Sequence, residues 1–350
     1  MKKYILSALL FITTAFVSSA QVADANTMIL HYKNGQTVTF SLSDLDYMEF
    51  DKVETEEPTP DEPVVTGDPK VGDYFYSDGT WSDGGLISID ADGRNAVWAA
   101  EKPAPIEGKT VVGIVFCTNP DRMADVDKEA GFTHGYVIAC KNITDPKKSN
   151  YSQYPETVWY AGQWATTDVV KVAKLASSCY ENLKGSEDTK TMFAKNDPKY
   201  YDEDIPLFYN GTTLFPVKAP ENTSGWFIPS IGQLWDCVAN FCSGEVASYL
   251  SSIQADNTDF SYCKTYVEDG TVPFDEFMKV FAKVPDDDKD DMVIPEGQDN
   301  GLDYISLGCA TRYDTESRLI INLGMNGGNL VEGMIEWFDG EAHSRPILAF

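Results

Sequence analysis

The stretch GWFIPSIGQLWDC, Gly225 to Cys237, decides how the chain is read. A Trp–Phe–Ile burst stops at Pro229, and Ser230 follows with Gly232 two residues on. A nucleophile elbow needs glycine two residues before and two after its serine, so that the strand-to-helix turn can be tight. The earlier position is Ile228, and His134 and His343 are the candidate bases in this part of the chain. Ser230 and Gln233 instead spell S-x-x-Q, a capping box in which serine and glutamine satisfy each other's backbone amides. Ile231, Leu234, Trp235, Val238 and Phe241 or Cys242 then recur at helical spacing. The spacing predicts a helix capped by Ser230, with Trp226 and Ile228 ending a core strand.

Strands are expected on both sides of this helix. GDYFYSDGTWSDGG (72–85) alternates aromatics with turn residues and reads as strand, turn, strand. TVVGIVFC (110–117) and HGYVIAC (134–140) read as buried strands, as do YISLGCA, RLIINL and the final RPILAF. Residues 165–183 look helical, with Val169, Val172, Ala173, Ala176 and Cys179 on one face. The stretch 186–220 reads as loop-rich. Residues 251–303 read as a long polar segment with one helical piece, FDEFMKVFAKV. The pattern is α+β, with strands at both ends of the domain and helices between them.

The first twenty residues, MKKYILSALLFITTAFVSSA, carry the basic start, apolar run and small-residue end of a secretory signal peptide. Residues 21–52 read as a small β module. MILHYKNGQTVTF (28–40) sets two β-rich runs around Asn34-Gly35, and a two-residue loop would place Lys33 opposite Gln36, His31 opposite Val38 and Ile29 opposite Phe40. A third strand would end at Phe50. Residues 53–70 form a Pro-rich acidic linker, and residues 71–350 the main domain. The expected location is periplasmic, cell-surface or secreted in a Gram-negative bacterium. No apolar run in the mature chain is long enough to span a membrane.

The chain has 350 residues, 55 acidic and 27 basic, for a net charge of -28. Such a surface repels phosphate backbones and anionic lipid, so a nucleic-acid partner is not expected. Seven cysteines with no CxxC, and three histidines, leave little for a zinc site. Export allows up to three disulfides, and buried thiols are the alternative. Cys237 and Cys242 fall about 140° apart around a helix and should not bridge each other.

The acidic run PDDDKDDMVIPEGQ invites a calcium reading. Counted from Asp286, carboxylates fall at positions one, three and five of an EF-hand loop, but Asp291 stands where glycine is needed and Gly297 where glutamate is needed. An irregular calcium site on Asp286, Asp288, Asp290 or Asp299 is the alternative to a solvated acidic loop, and no cofactor is otherwise expected. His134 reads as a structural histidine. Glu336, Asp339 and Glu341 crowd Trp337 near the end of the chain. Paired carboxylates can hydrolyse glycosides, but neighbouring acids on a terminal loop more simply form a polar rim.

Four phrases, VGDYFYSDGTWS (71–82), GIVFC with HGYVIAC, GWFIPSIGQL (225–234) and SRPILAF (344–350), together resemble one family. They are similar to the C-type lectin-like domains of the FGE-sulfatase type found in exported Bacteroidetes proteins and at the end of the Legionella collagen-like adhesin. The "DLDYMEF" phrase near the N-terminus likewise resembles leader modules of secreted Bacteroidetes proteins. The chain departs from the family at Tyr304-Ile305-Ser306, where members often carry Trp-Ser-Ser. It also lacks the Trp-Asn-Asp of calcium-dependent sugar lectins, which Trp337-Phe338-Asp339 only partly echoes. The late Cys309 stands alone, so sulfatase-modifying activity is not implied.

The resemblance implies a non-catalytic exported binding or adhesion protein whose C-terminal loops recognise a glycan or a protein. The candidate ligand residues are Arg312, Tyr313, Asp314, Asn326, Asn329, Trp337 and Asp339. The competing readings are a carbohydrate-active hydrolase using Glu336, Asp339 or acids of 286–303, and a pilus or surface-assembly subunit exchanging a strand of the 28–50 module.

Overall fold

The run VVGIVFC becomes a strand in which every residue is buried, which marks it as the middle of a covered sheet. The computed structural model of the chain describes residues 27–31, 37–41, 67–90, 95–143, 158–159, 172–194, 208–209, 212–213, 215, 217–242, 244–268, 272–290, 305–314, 317–325, 330–337, 341–342 and 345–350. It divides into two units, Met1–Glu62 and Pro63–Phe350.

The larger unit is α+β; among its described residues are two larger open antiparallel sheets and three two-stranded pairs. The strands of the two larger sheets are β1 (Tyr74–Tyr76), β2 (Trp81–Ser82), β3 (Val111–Cys117), β4 (Tyr136–Ala139), β5 (Lys264–Tyr266), β6 (Ile305–Arg312), β7 (Ser317–Met325), β8 (Leu330–Trp337) and β9 (Ile347–Ala349). The first sheet runs β9-β4-β3-β1-β2, so the last strand of the chain closes its edge beside β4. The second runs β5-β8-β7-β6. The helices are α1 (Asp125–Glu129), α2 (Ala176–Tyr180), α3 (Gly185–Ala194), α4 (Ile231–Phe241), α5 (Gly244–Ile253) and α6 (Pro273–Lys279).

The predicted helix after Pro229 is α4, and it organises the core. It packs on β3 of one sheet and on β6 and β7 of the other. Its periodicity suggests one apolar face, yet all eleven of its residues are buried. Burial all round calls for partners for its polar groups, and the Asp236 and Asn240 side chains and the Gln233 carbonyl oxygen have them, while Gln233 Nε2 and Trp235 Nε1 have none among the described residues. Asp236 pairs with Arg122 at 2.8 Å, and Asn240 donates to the Phe116 carbonyl at 2.8 Å. Gln233 accepts the Ser230 amide at 2.9 Å, and the Ser230 oxygen accepts the Gln233 amide at 3.4 Å, completing the capping box. Gly232 lets the helix approach the turn after α2: a Cβ there would lie 2.4 Å from the Asn182 carbonyl oxygen.

Several expectations are corrected. The N-terminal hairpin pairs Ile29 with Thr39, Leu30 with Val38 and His31 with Thr37, one residue off the predicted register. A two-residue loop would make paired residue numbers sum to an odd value, and the observed sum is even. The expected third strand ending at Phe50 lies outside the described residues. Of the predicted helix 165–183 the described residues begin at Val172, and among them only α2 is helical, because Ala173 donates its amide to the Arg312 carbonyl and Lys174 gives its carbonyl to Phe260. Those bonds hold 172–175 extended. α3 forms inside the stretch read as loop, and α5 was not expected. The piece FDEFMKVFAKV stops as helix at Lys279, although Phe281 and Val284 stay buried beyond it. Glu336 and Trp337 belong to strand β8 and not to a terminal loop.

All seven cysteines are buried free thiols. Cys237 and Cys242 both belong to the core, and neither bridges. His134 is exposed, and its ring packs tilted against Trp81 and Phe350, with centroids 5.7 and 5.8 Å away.

Candidate ligand-binding face

At the end of β6 the chain turns back into β7. Tyr313 and Asp314 both donate amides to the Ser317 carbonyl, and the Ser317 hydroxyl donates to Asp314 at 2.7 Å. This closed turn holds Tyr313 at the sheet margin, half-buried. Its phenol donates to Asp259 Oδ2 at 2.6 Å. Asp259 Oδ1 accepts both the amide (3.0 Å) and the hydroxyl (2.7 Å) of Ser261, capping the 3-10 turn Phe260–Tyr262. Lys174 Nζ lies 4.3 Å from the Tyr313 ring centroid, a cation–π distance.

Two further segments are tied into the same face. Val172 bridges Arg312 in parallel and Leu175 bridges Asp259. Phe260, Ala176 and Ser177 donate amides to the carbonyls of Lys174, Thr258 and Asp256. Gly333 of β8 donates to the Cys263 carbonyl at 2.9 Å. The loop 256–263 is therefore clamped from both sides, and it presents Tyr262 at 76 % exposure.

The electrostatics follow from these bonds. The hydrogen bond to the Asp259 carboxylate, with some desolvation, raises the Tyr313 phenol above its ordinary range. Desolvation pushes Asp259 up, but the Tyr313 and Ser261 hydrogen bonds and the Lys174 charge outweigh it. The carboxyl lies below its ordinary value. Asp259 is thus held as the anion, and Tyr313 as the neutral phenol.

The sequence-predicted residues scatter around this face. Tyr313 and Asp314 are part of it. Arg312 is not on a loop: it ends β6 with 2 % exposure. Trp337 pairs with Ser317 across β7 and β8, so its backbone reaches the same end of the sheet. Asn326, Asn329 and Asp339 lie outside the described residues. Lys174, Asp259, Ser261 and Tyr262 were missed. The D-x-S spacing of Asp259 and Ser261 is a local turn signal, but nothing local ties it to Tyr313.

Two members of the acidic run serve the fold. Asp288 accepts the Val111 amide at 2.9 Å, and Asp290 accepts the Asn142 amide at 2.8 Å. Asp286 pairs with Lys289 at 3.2 Å; Asp299 lies outside the described residues. Among the described residues no three His, Cys, Asp or Glu side chains gather as a metal site. Nor is any helix there long and apolar enough to cross a membrane. The Ser230 hydroxyl is fully buried and donates to the Asn182 carbonyl at 2.5 Å, a capping role.

These features define an α+β protein of open sheets with a clamped aromatic and polar face. The chain matches no protein-family model, the C-type lectin-like family included, and no curated protein. Among solved structures it is similar to a fimbrial protein from Bacteroides ovatus, with 15% identity and a TM-score of 0.41. That similarity covers 81% of this chain and 49% of the other, so the chain spans about half of that protein's length.

Proposed function

We propose that the chain is an exported, non-catalytic binding protein. In this reading residues 1–20 are its signal peptide and residues 71–350 a C-type lectin-like domain. A glycan or protein ligand docks on the face around Tyr313. The observation that carries the reading is the clamped 256–263 loop, which holds Tyr262, Tyr313 and Lys174 in place by bonds internal to the protein. Contact groups fixed before a ligand arrives lose little freedom on binding, and tyrosines supply large amphipathic contacts for sugars and peptides alike.

The purified chain is screened against a glycan array and a panel of matrix proteins, with and without EDTA. Binding that survives EDTA and weakens in Tyr313→Ala is expected, since Asp288 and Asp290 already serve backbone amides. If Tyr313→Ala left every interaction unchanged, the reading would be overturned.

A further inference from the structure

Six large hydrophobic side chains stand exposed among the described residues: Ile87, Val97, Val172, Leu175, Tyr262 and Tyr266. Four of them belong to segments 172–175 and 262–266. These segments are cross-tied through the Leu175–Asp259 bridge and the bond from the Phe260 amide to the Lys174 carbonyl. Exposed apolar groups scattered singly need no explanation, but a concentration of them marks an interaction site.

The same face ends in an edge. β5 (Lys264–Tyr266) pairs with β8 on one side, and no described strand pairs with it on the other. Lys264 and Tyr266 are exposed and Thr265 half-buried. An edge strand offers main-chain donors and acceptors to an added strand.

Charge selects the occupant. Asp256, Glu245 and Glu268 are exposed around the face and Asp314 is half-exposed, against Lys174 and Lys264. The chain as a whole carries -28. A second copy would meet like charge, while a cationic segment would be steered inward. The aliphatic side chains of Val172 and Leu175 offer nothing to sugar hydroxyls but suit apolar side chains of a peptide.

We propose that this face docks an extended, lysine- or arginine-rich segment of a partner protein. The segment is added along the outer edge of β5, with its apolar side chains against Tyr262 and Tyr266. The inference rests on the binding-protein reading and narrows its ligand to a cationic polypeptide.

The test titrates the full chain with a short peptide of alternating lysine and valine, and with its glutamate-for-lysine counterpart. Titrations run at about 50 mM and about 500 mM salt. Saturable binding of the lysine peptide is expected, weakened by the higher salt, with none for the glutamate peptide. Tyr262→Ser should weaken it about tenfold, as loss of a contact tyrosine does. Tyr262 is 76 % exposed, so the variant should fold, and an unchanged melting temperature checks this. Equal affinity in wild type, Tyr262→Ser and Tyr266→Ser would show general attraction to an acidic surface and overturn the proposal. So would absence of lysine-peptide binding, or its displacement by a neutral maltooligosaccharide. Array ligands lost in Tyr313→Ala but kept in Tyr262→Ser would remove this proposal alone. A wild-type chain binding neither peptide nor any array ligand would remove both.

Discussion

Tyr313 donates its phenolic proton to Asp259 across 2.6 Å, joining residues 54 apart in the sequence. The bond fastens the turn between β6 and β7 to the loop that presents Tyr262. Tyr313→Phe removes it and keeps the ring under Lys174. The site is partly exposed, so the expected loss is small, below about 1 kcal/mol. Asp259→Asn should cost a similar amount, and the double variant less than the sum. Chemical denaturation of the four proteins measures the coupling; strict additivity would mean the bond holds nothing.

The packing at Gly232 is far less forgiving. A Cβ there would meet three backbone carbonyl oxygens, those of Asn182, Tyr180 and Cys179, at 2.4 to 2.9 Å. Backbone cannot swing aside as a side chain can. Gly232→Ala should therefore cost more than about 3 kcal/mol or fail to fold. Ser230→Ala loses the cap and the hydroxyl's bond to the Asn182 carbonyl, together about 2 kcal/mol. A thermal melt ranks them, and a Gly232→Ala chain as stable as wild type would refute the close approach.

The helix after Pro229 was legible because its signals are local: a capping box and an apolar spacing within a dozen residues. The sequence does not reveal that both sheets cover it. That depends on Asp236 and Asn240 finding Arg122 and the Phe116 carbonyl, more than a hundred residues away. Residues 172–175 have helical periodicity and stay extended because their backbone groups bond Arg312 and Phe260. The candidate face was half legible for the same reason. Tyr313 and Asp314 stand beside a strand end, where binding loops are sought, whereas Asp259 becomes part of the face only through tertiary pairing.

The seven thiols give a chemical test of the core. Burial pushes Cys140 up to about 12 and Cys263 to about 11, and raises Cys237 and Cys242 well above the ordinary thiol value. Buried, protonated thiols neither attack disulfides nor oxidise readily. An aromatic disulfide reagent at pH 8 should label none in the native protein and seven after denaturation without reductant. Fewer than seven in denaturant would reveal disulfides in the isolated protein.

Asp188 sets a pH dependence of unusual sign. It lies on α3 with 6 % exposure, and its Oδ2 accepts no hydrogen bond among the described residues. Desolvation, aided by Glu187, raises its carboxyl from 3.8 to about 7. Burial likewise raises Asp73 to about 6. From about pH 4 to about 7 the folded chain retains the Asp188 proton while the unfolded chain has released it. A rise in pH through that window favours the unfolded state, which binds fewer protons. These two groups therefore contribute most stability near the acid end of the window and least above pH 7. Asp188→Asn keeps the shape without the buried charge, so it should stabilise the protein on the order of 1–2 kcal/mol at pH 8. At pH 5, where only part of that window has been crossed, the stabilisation should be clearly smaller than at pH 8. Urea denaturation of both proteins at the two pH values decides the matter. If Asp188→Asn is the less stable at pH 8, the carboxylate has a favourable partner in the fold and the assigned sign is wrong.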